Sequence, residues 1–131
     1  MKENELSKVI IGSAMEVHKE LGPGLLESVY EECFCRELML RGLTHVRQVQ
    51  VPILYKGVRL DCGHRIDVIV EDSVIVEIKS VDKLNPVHKK QLLTYLRLLD
   101  KRPGLLINFN IDYLKSGIAR VANGLNEQDA V

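Results

Sequence analysis

Three charged residues stand where the chain is otherwise built to be buried. The stretch "RIDVIVEDSVIVEIKS", residues 65–80, has the valine and isoleucine content of two strands joined by a turn, yet Asp67, Glu77 and Lys79 interrupt it. An unpaired buried charge costs several kcal/mol, so the three need partners or a purpose. Strand side chains alternate faces. Arg65, Asp67 and Ile69 therefore share one face of the first strand, and Ile75, Glu77 and Lys79 one face of the second. A hairpin is expected to gather Asp67, Glu77 and Lys79 on one side, with valines and isoleucines on the other. Two carboxylates held close repel, and one pKa rises unless a cation lies between them. Lys79 supplies part of that compensation; a divalent metal supplies more.

The residue types suit phosphate chemistry. Hard carboxylate oxygens favour Mg²⁺, which keeps several waters and also accepts phosphate oxygens. Such an ion lowers the pKa of a bound water and stabilises charge on the phosphate under attack, while a lysine beside it neutralises developing negative charge. The competing reading is an edge hairpin in which Lys79 is merely salt-bridged to a carboxylate, since paired charges point to sites only statistically. Arg65, on the face of Asp67, is a candidate ion-pair partner for it.

The elements that must position these residues are legible from periodicity and breakers. Apolar residues at Leu6, Val9, Ile10, Ala14, Val17 and Leu21 have helical spacing, and "GPG" at 22–24 stops that helix. A second helix is expected from about Leu25 to Arg41, ended by Gly42. "VRQVQVPILYKGVRLDC" reads as two antiparallel strands, the second continuing towards Asp67. A turn at Glu71-Asp72-Ser73 leads to a third strand through Ile78. "NPVHKKQLLTYLRLLDKR" is a helix capped by Asn85 with Pro86 at its first position. "LLINF" is a buried strand, "IDYLKSGIARVANGL" a helix or short edge strand, and "NEQDAV" a frayed end. The expected order is ααβββαβ in one domain, residues 1–131.

Composition excludes several classes. An apolar fraction of 46% and a charged fraction of 27% are those of an ordinary globular domain. Eighteen basic and eighteen acidic residues cancel, so overall charge does not announce a nucleic-acid binder. Locally it is uneven: residues 1–37 hold four basic and eight acidic residues, whereas residues 83–102 hold six basic and one acidic. A basic stretch of this kind attracts a polyanion, or is simply a solvated helix face. Cys33, Cys35 and Cys62 are too few and wrongly spaced for a structural zinc or an iron–sulfur cluster, and suit a reducing compartment. No apolar run reaches the ~20 residues that span a bilayer, and the first ten residues are too charged for a signal sequence. The expectation is a cytoplasmic protein without membrane association.

Asp, nine residues, then Glu-x-Lys resembles the PD-(D/E)xK nuclease superfamily, although Ile66 stands where its name has proline. Gln91 and Tyr95, four apart on one helix face, follow as Q-x₃-Y and resemble its RecB-like branch. "GLLESVY", residues 24–30, places Glu27 and Tyr30 three apart. With "RIDVIVEDSVIVEIKSV" and "GLLINFN" it resembles the GxxExxY family, over about Val9 to Val121. Read without the resemblance, Glu27 is a first-turn acid favoured by the helix dipole, Gln91 a boundary polar residue, and Tyr30 and Tyr95 core aromatics.

The resemblance implies an α/β (α+β) restriction-endonuclease-like core, a mixed central sheet flanked by helices. It implies metal ligation by Asp67, Glu77 and Glu27, a catalytic Lys79, and Gln91 and Tyr95 lining the cleft. Tyr30 would support Glu27 or touch substrate. The implied cofactor is Mg²⁺ or Mn²⁺, and the implied activity is hydrolysis of phosphodiester bonds, in DNA ahead of RNA. The alternative is a non-catalytic module binding nucleic acid or protein on the same fold. Lys89, Lys90 and Arg97 are candidates for contacts to a nucleic-acid backbone. His88, three residues before Gln91, either contacts phosphate or faces solvent. His64 is expected opposite Asp67, as a surface histidine. The small, neutral chain suggests a homodimer as the working unit.

Overall fold

The computed structural model describes residues 1–124, so the frayed end expected at "NEQDAV" lies outside the described residues. Helix α1, Glu3–Leu21, buries Leu6, Ile10, Ala14 and Val17 and ends at Gly22, whose φ of 69° carries the chain out of the helix. Helix α2, Glu27–Leu40, buries Tyr30, Phe34, Cys35 and Leu38. The Cys35 thiol is pushed up to about 11 by burial, so this cysteine behaves as an apolar side chain.

Seven strands follow: β1 His45–Gln50, β2 Ile53–Tyr55, β3 Val58–Leu60, β4 Arg65–Val70, β5 Val74–Lys79, β6 Pro103–Asn108 and β7 Ile118–Ala122. Helix α3, Pro86–Leu98, crosses from β5 to β6. Asn85 caps it by accepting the Val87 N–H, with Pro86 in the first turn, as its sequence predicts. Five strands form one mixed sheet in the order β1-β4-β5-β6-β7, in which β5 and β6 run parallel and the other neighbours antiparallel.

Both sheet faces are covered. Val68, Val70, Val74, Val76, Ile78, Leu105 and Ile107 pack with α1 and α2, whereas Ile69, Ile75 and Leu106 pack with Leu92, Tyr95 and Leu96 of α3. The result is an α+β core of helix, sheet and helix layers, in agreement with the expected class. Near-continuous valine and isoleucine in β4 and β5 follows from this double burial. Gly104 permits the α3 layer to sit close, because a β-carbon there would lie 3.1 Å from Leu92.

One expectation needs correction. The run after β1 is not one long hairpin reaching Asp67. β2 and β3 form a separate two-stranded sheet, Ile53 pairing with Leu60 and Tyr55 with Val58, and β4 restarts after a break at 61–64. For the segment after β6, expected as a helix or a short edge strand, the edge strand is found: β7 follows a 3₁₀ turn, Leu114–Gly117. Among the described residues no helix is long and apolar enough to cross a membrane.

Candidate metal and phosphodiester site

The β4–β5 ladder is regular from Val70↔Val74 to Val68↔Val76. Beyond it, side chains replace backbone pairing. The Asp67 N–H donates to Glu77 Oε1 at 3.3 Å, and the Ile78 N–H donates to Asp67 Oδ2 at 2.7 Å. The two acids are thus interlocked where the strands part. Glu77 is 5% exposed and Asp67 half-buried. Burial raises the pKa of both. Glu77 is pushed up to about 8, with the neighbouring Asp67 carboxylate as the second cause. Lys79 lowers each somewhat, yet it forms no ion pair among the described residues.

This donor set fits a divalent cation. The half-buried Asp67 and the buried Glu77 adjoin, with a side-chain hydrogen bond between them, and neither carboxylate has an ion-pair partner among the described residues. No three His, Cys, Asp or Glu side chains converge on one point among the described residues. An ion here would take two protein carboxylates and complete its shell with water and phosphate, the habit of Mg²⁺.

Glu27 was expected as a third ligand. It opens α2, exposed, and its Oε2 accepts the Ser80 N–H at 3.1 Å. Its charge is still felt at Asp67. The same junction is held by Ser80 Oγ donating to the Leu25 carbonyl at 2.6 Å. Tyr30 does not face a nucleic acid: it is fully buried and stacked on Phe109 with centroids 4.5 Å apart. Its hydroxyl donates to the Gly22 carbonyl and accepts the Leu25 N–H. Tyr30 therefore fixes the loop that delivers Glu27 and Leu25 to Ser80, a supporting role. Substrate contact by Tyr30 is corrected on the ground of burial.

On the other side of Lys79, the chain is tied to β6. Asn108, 3% exposed, accepts the Val81 N–H at 3.1 Å and donates to the Val81 carbonyl at 2.9 Å. The Phe109 N–H reaches the Lys79 carbonyl. Gly117 packs beneath this clamp, where an added β-carbon would lie 2.5 Å from the Asn108 carbonyl oxygen. Gly117→Ala is expected to destabilise the protein by about 1–3 kcal/mol, read as a lower thermal midpoint, because backbone cannot yield as a side chain can. An unchanged midpoint would show that the 3₁₀ turn shifts freely.

On α3, Tyr95 is 4% exposed and its hydroxyl pKa is raised by burial and by the Glu77 and Asp67 charges. Its Oη lies 2.9 Å from His64 Nδ1. His64 is exposed, as expected of a surface histidine, yet its ring meets Tyr95 instead of turning away from the site. Strand alternation does not extend to it, because β4 begins at Arg65. Gln91 is half-buried on the same helix, without a hydrogen bond among the described residues. His88 completes the helix cap, its Nδ1 3.3 Å from the Asn85 N–H, rather than standing free. Lys89, Lys90 and Arg97 are exposed. Arg65 pairs with Asp61 at 3.5 Å, not with Asp67.

Sequence reasoning missed a second cluster. Glu31, 7% exposed on α2, accepts from Arg47 Nε and Nη2 at 3.0 and 2.7 Å and from Gln48 Nε2 at 2.9 Å. Gln48 has φ +52°, and the β1–β4 register pairs Arg47 with Val68 and Val49 with Ile66 but leaves Gln48 and Asp67 unpaired. Around that gap, Ile66 joins the α3 side of the core and Val68 the α1–α2 side, while Asp67 feels Glu31 and Glu27 of α2. The interruption lies directly opposite the first acid. No residue-type signal marks it.

A mixed sheet with flanking helices, carrying Asp and Glu-x-Lys where two central strands part, defines a nuclease-like class. A family model of the PD-(D/E)XK nuclease superfamily matches residues 4–121, and the chain belongs to that superfamily. The superfamily is one of nucleases that typically use divalent metals. No curated protein and no solved structure matches the chain.

Proposed function

We propose that the chain is a divalent-metal-dependent nuclease that hydrolyses phosphodiester bonds, in DNA ahead of RNA, with Mg²⁺ or Mn²⁺. The observation that carries this reading is the interlocked Asp67–Glu77 pair, nearly buried, with no countercharge paired to it and Lys79 on the same strand end. Such crowding costs stability, which a metal bound against phosphate offsets and a plain binding surface does not need. Membership of the superfamily and the motifs GxxExxY and Q-x₃-Y support placement in the RecB-like branch.

In this reading Asp67 and Glu77 hold the ion, which activates water and steadies phosphate charge when bound. Lys79 orients the attacking water and neutralises charge as it develops on the phosphate. Glu27 and Ser80 fix the strand end beyond Lys79, while Tyr95 with His64, and Gln91, line the cleft. Lys89, Lys90 and Arg97 provide backbone contacts without sequence choice. A homodimer, acting in the cytoplasm, would supply more surface for substrate than one small chain.

The test is cleavage of labelled single- and double-stranded DNA and RNA with Mg²⁺, with Mn²⁺ and with chelator. Metal-dependent cutting is expected, reduced at least about 100-fold in Asp67→Ala and Lys79→Ala. Folded wild-type protein that cuts nothing would overturn the nuclease and favour a non-catalytic binding module.

A further inference from the structure

The β2–β3 hairpin is the one strand pair among the described residues outside the main sheet, and its side chains do not form a core. Leu54 is 64% exposed, Tyr55 61% and Val58 54%, and only Ile53 is packed against the α3 side of the core. Two-stranded hairpins are marginal in water when nothing packs on them. The root, by contrast, is fixed. Val51 is fully buried and its N–H donates to the His64 carbonyl at 2.9 Å, closing the neck of the excursion. His64 also meets Tyr95, and Asp67 follows three residues later. The hairpin is thus a projecting arm mounted beside the acids.

Charge tells what the arm meets. The hairpin, residues 53–60, carries two cations, Lys56 and Arg59, and no acidic residue. Neither cation is ion-paired among the described residues, whereas the nearby Arg41 and Arg47 are paired with Glu37 and with Glu31 and Glu32. Register places Tyr55 beside Val58 on one face and Leu54 beside Arg59 on the other, with Lys56 at the tip, its Nζ 5.4 Å from the Tyr55 ring centroid. A cationic ribbon with an aromatic tip complements a polyanion. A second protein copy is the weaker fit: a stable interface needs ~800 Å² from each partner, more than eight residues of ribbon present.

We propose that the β2–β3 hairpin is a docking arm for double-stranded DNA, entering the major groove while Lys56 and Arg59 contact phosphates. The inference rests on the nuclease reading above and adds the substrate's form to it. The B-form major groove, about 12 Å wide, admits a two-stranded ribbon. The deep, narrow major groove of RNA duplexes does not. Tyr55 and Val58 then meet apolar base edges, and the exposed apolar surface is covered.

The experiment measures binding by fluorescence anisotropy in chelator, where no cleavage occurs, over a range of salt. Probes are one sequence as duplex DNA, single-stranded DNA and duplex RNA. The proteins are wild type, the Lys56→Glu/Arg59→Glu double variant and the Tyr55→Ala/Val58→Ala double variant, with thermal melts confirming folding. The arm is exposed, so both variants should fold. Wild type should prefer duplex DNA. Charge reversal should weaken that binding at least tenfold and reduce the salt slope by about 2, the yield of two phosphate contacts; the apolar variant should lose the preference over duplex RNA. Unchanged duplex binding in both variants, with wild-type cleavage intact in Mg²⁺, would overturn the arm and leave the nuclease standing. Arm-dependent binding without any cleavage would support the arm and overturn the nuclease. A dimer that the apolar variant splits, with DNA binding unchanged, would assign the arm to a second copy and overturn the proposal.

Discussion

Glu77→Gln is expected to make the protein more stable and inactive. The substitution keeps the shape and the acceptor oxygen that receives the Asp67 N–H, and it removes a charge from a side chain that is 5% exposed. Burial and the Asp67 carboxylate push the Glu77 pKa from 4.5 up to about 8. An acid raised in this way keeps its proton in the folded state at pH values where the unfolded chain has released it. The contribution of Glu77 to the stability of metal-free wild type should therefore be lost as pH rises from about 4.5 to about 8. Glu77→Gln should flatten most of this slope and, at pH 8, gain about 1–2 kcal/mol, roughly 5 °C in thermal midpoint. Added Mg²⁺ should stabilise wild type more at pH 8 than at pH 5, because it supplies the missing countercharge to the ionised pair. It should leave the variant almost unmoved. Cleavage by the variant should fall at least about 100-fold with the loss of a metal ligand. A variant no more stable than wild type at pH 8 would show that the Glu77 charge is already compensated in the folded protein, and the motive for a metal there would go with it.

The acids, the lysine and the elements carrying them were legible because each has a local signature. Helical period, the Asn85-Pro86 cap and the breakers at 22–24 locate α1, α2 and α3 within a few residues. Alternation in a fully covered sheet is uninformative, so β4 and β5 were recognised by their β-branched runs and by the charges interrupting them. What failed was anything depending on contacts between distant segments. Glu31 stands beside Glu32 and reads as another solvent acid; its burial exists only because Arg47 and Gln48 fold against it. For Tyr30 the core-aromatic reading holds and only substrate contact fails, because its ring continues inward to Phe109. The arm was merged with its neighbours because three-residue strands are too short for a period to show.

Glu31 is expected to act on the site through the backbone of Gln48, a link that glycine can expose. Gln48 occupies the left-handed region at φ +52°, which costs a residue with a β-carbon ~1–2 kcal/mol and costs glycine almost nothing. The bonds from Gln48 Nε2 and Arg47 to Glu31 offset that cost. They hold β1 open opposite Asp67, where Ile66 and Val68 go to different core layers. In Glu31→Ala the offset is gone, Gln48 relaxes towards ordinary strand geometry, and Asp67 loses its place against Glu77. Cleavage should fall about 10- to 100-fold, the range for residues that orient metal ligands, with substrate binding in chelator little changed. Adding Gln48→Gly should restore much of that loss, since glycine holds the left-handed turn unaided. Adding Gln48→Ala should not, although alanine also lacks the amide. That contrast separates backbone geometry from hydrogen bonding, because both second substitutions remove the same amide side chain, whose bond to Glu31 is already absent. Equal activity of the two double variants would mean that the turn at Gln48 does not position Asp67, and the effect of Glu31 would then be the loss of its charge alone.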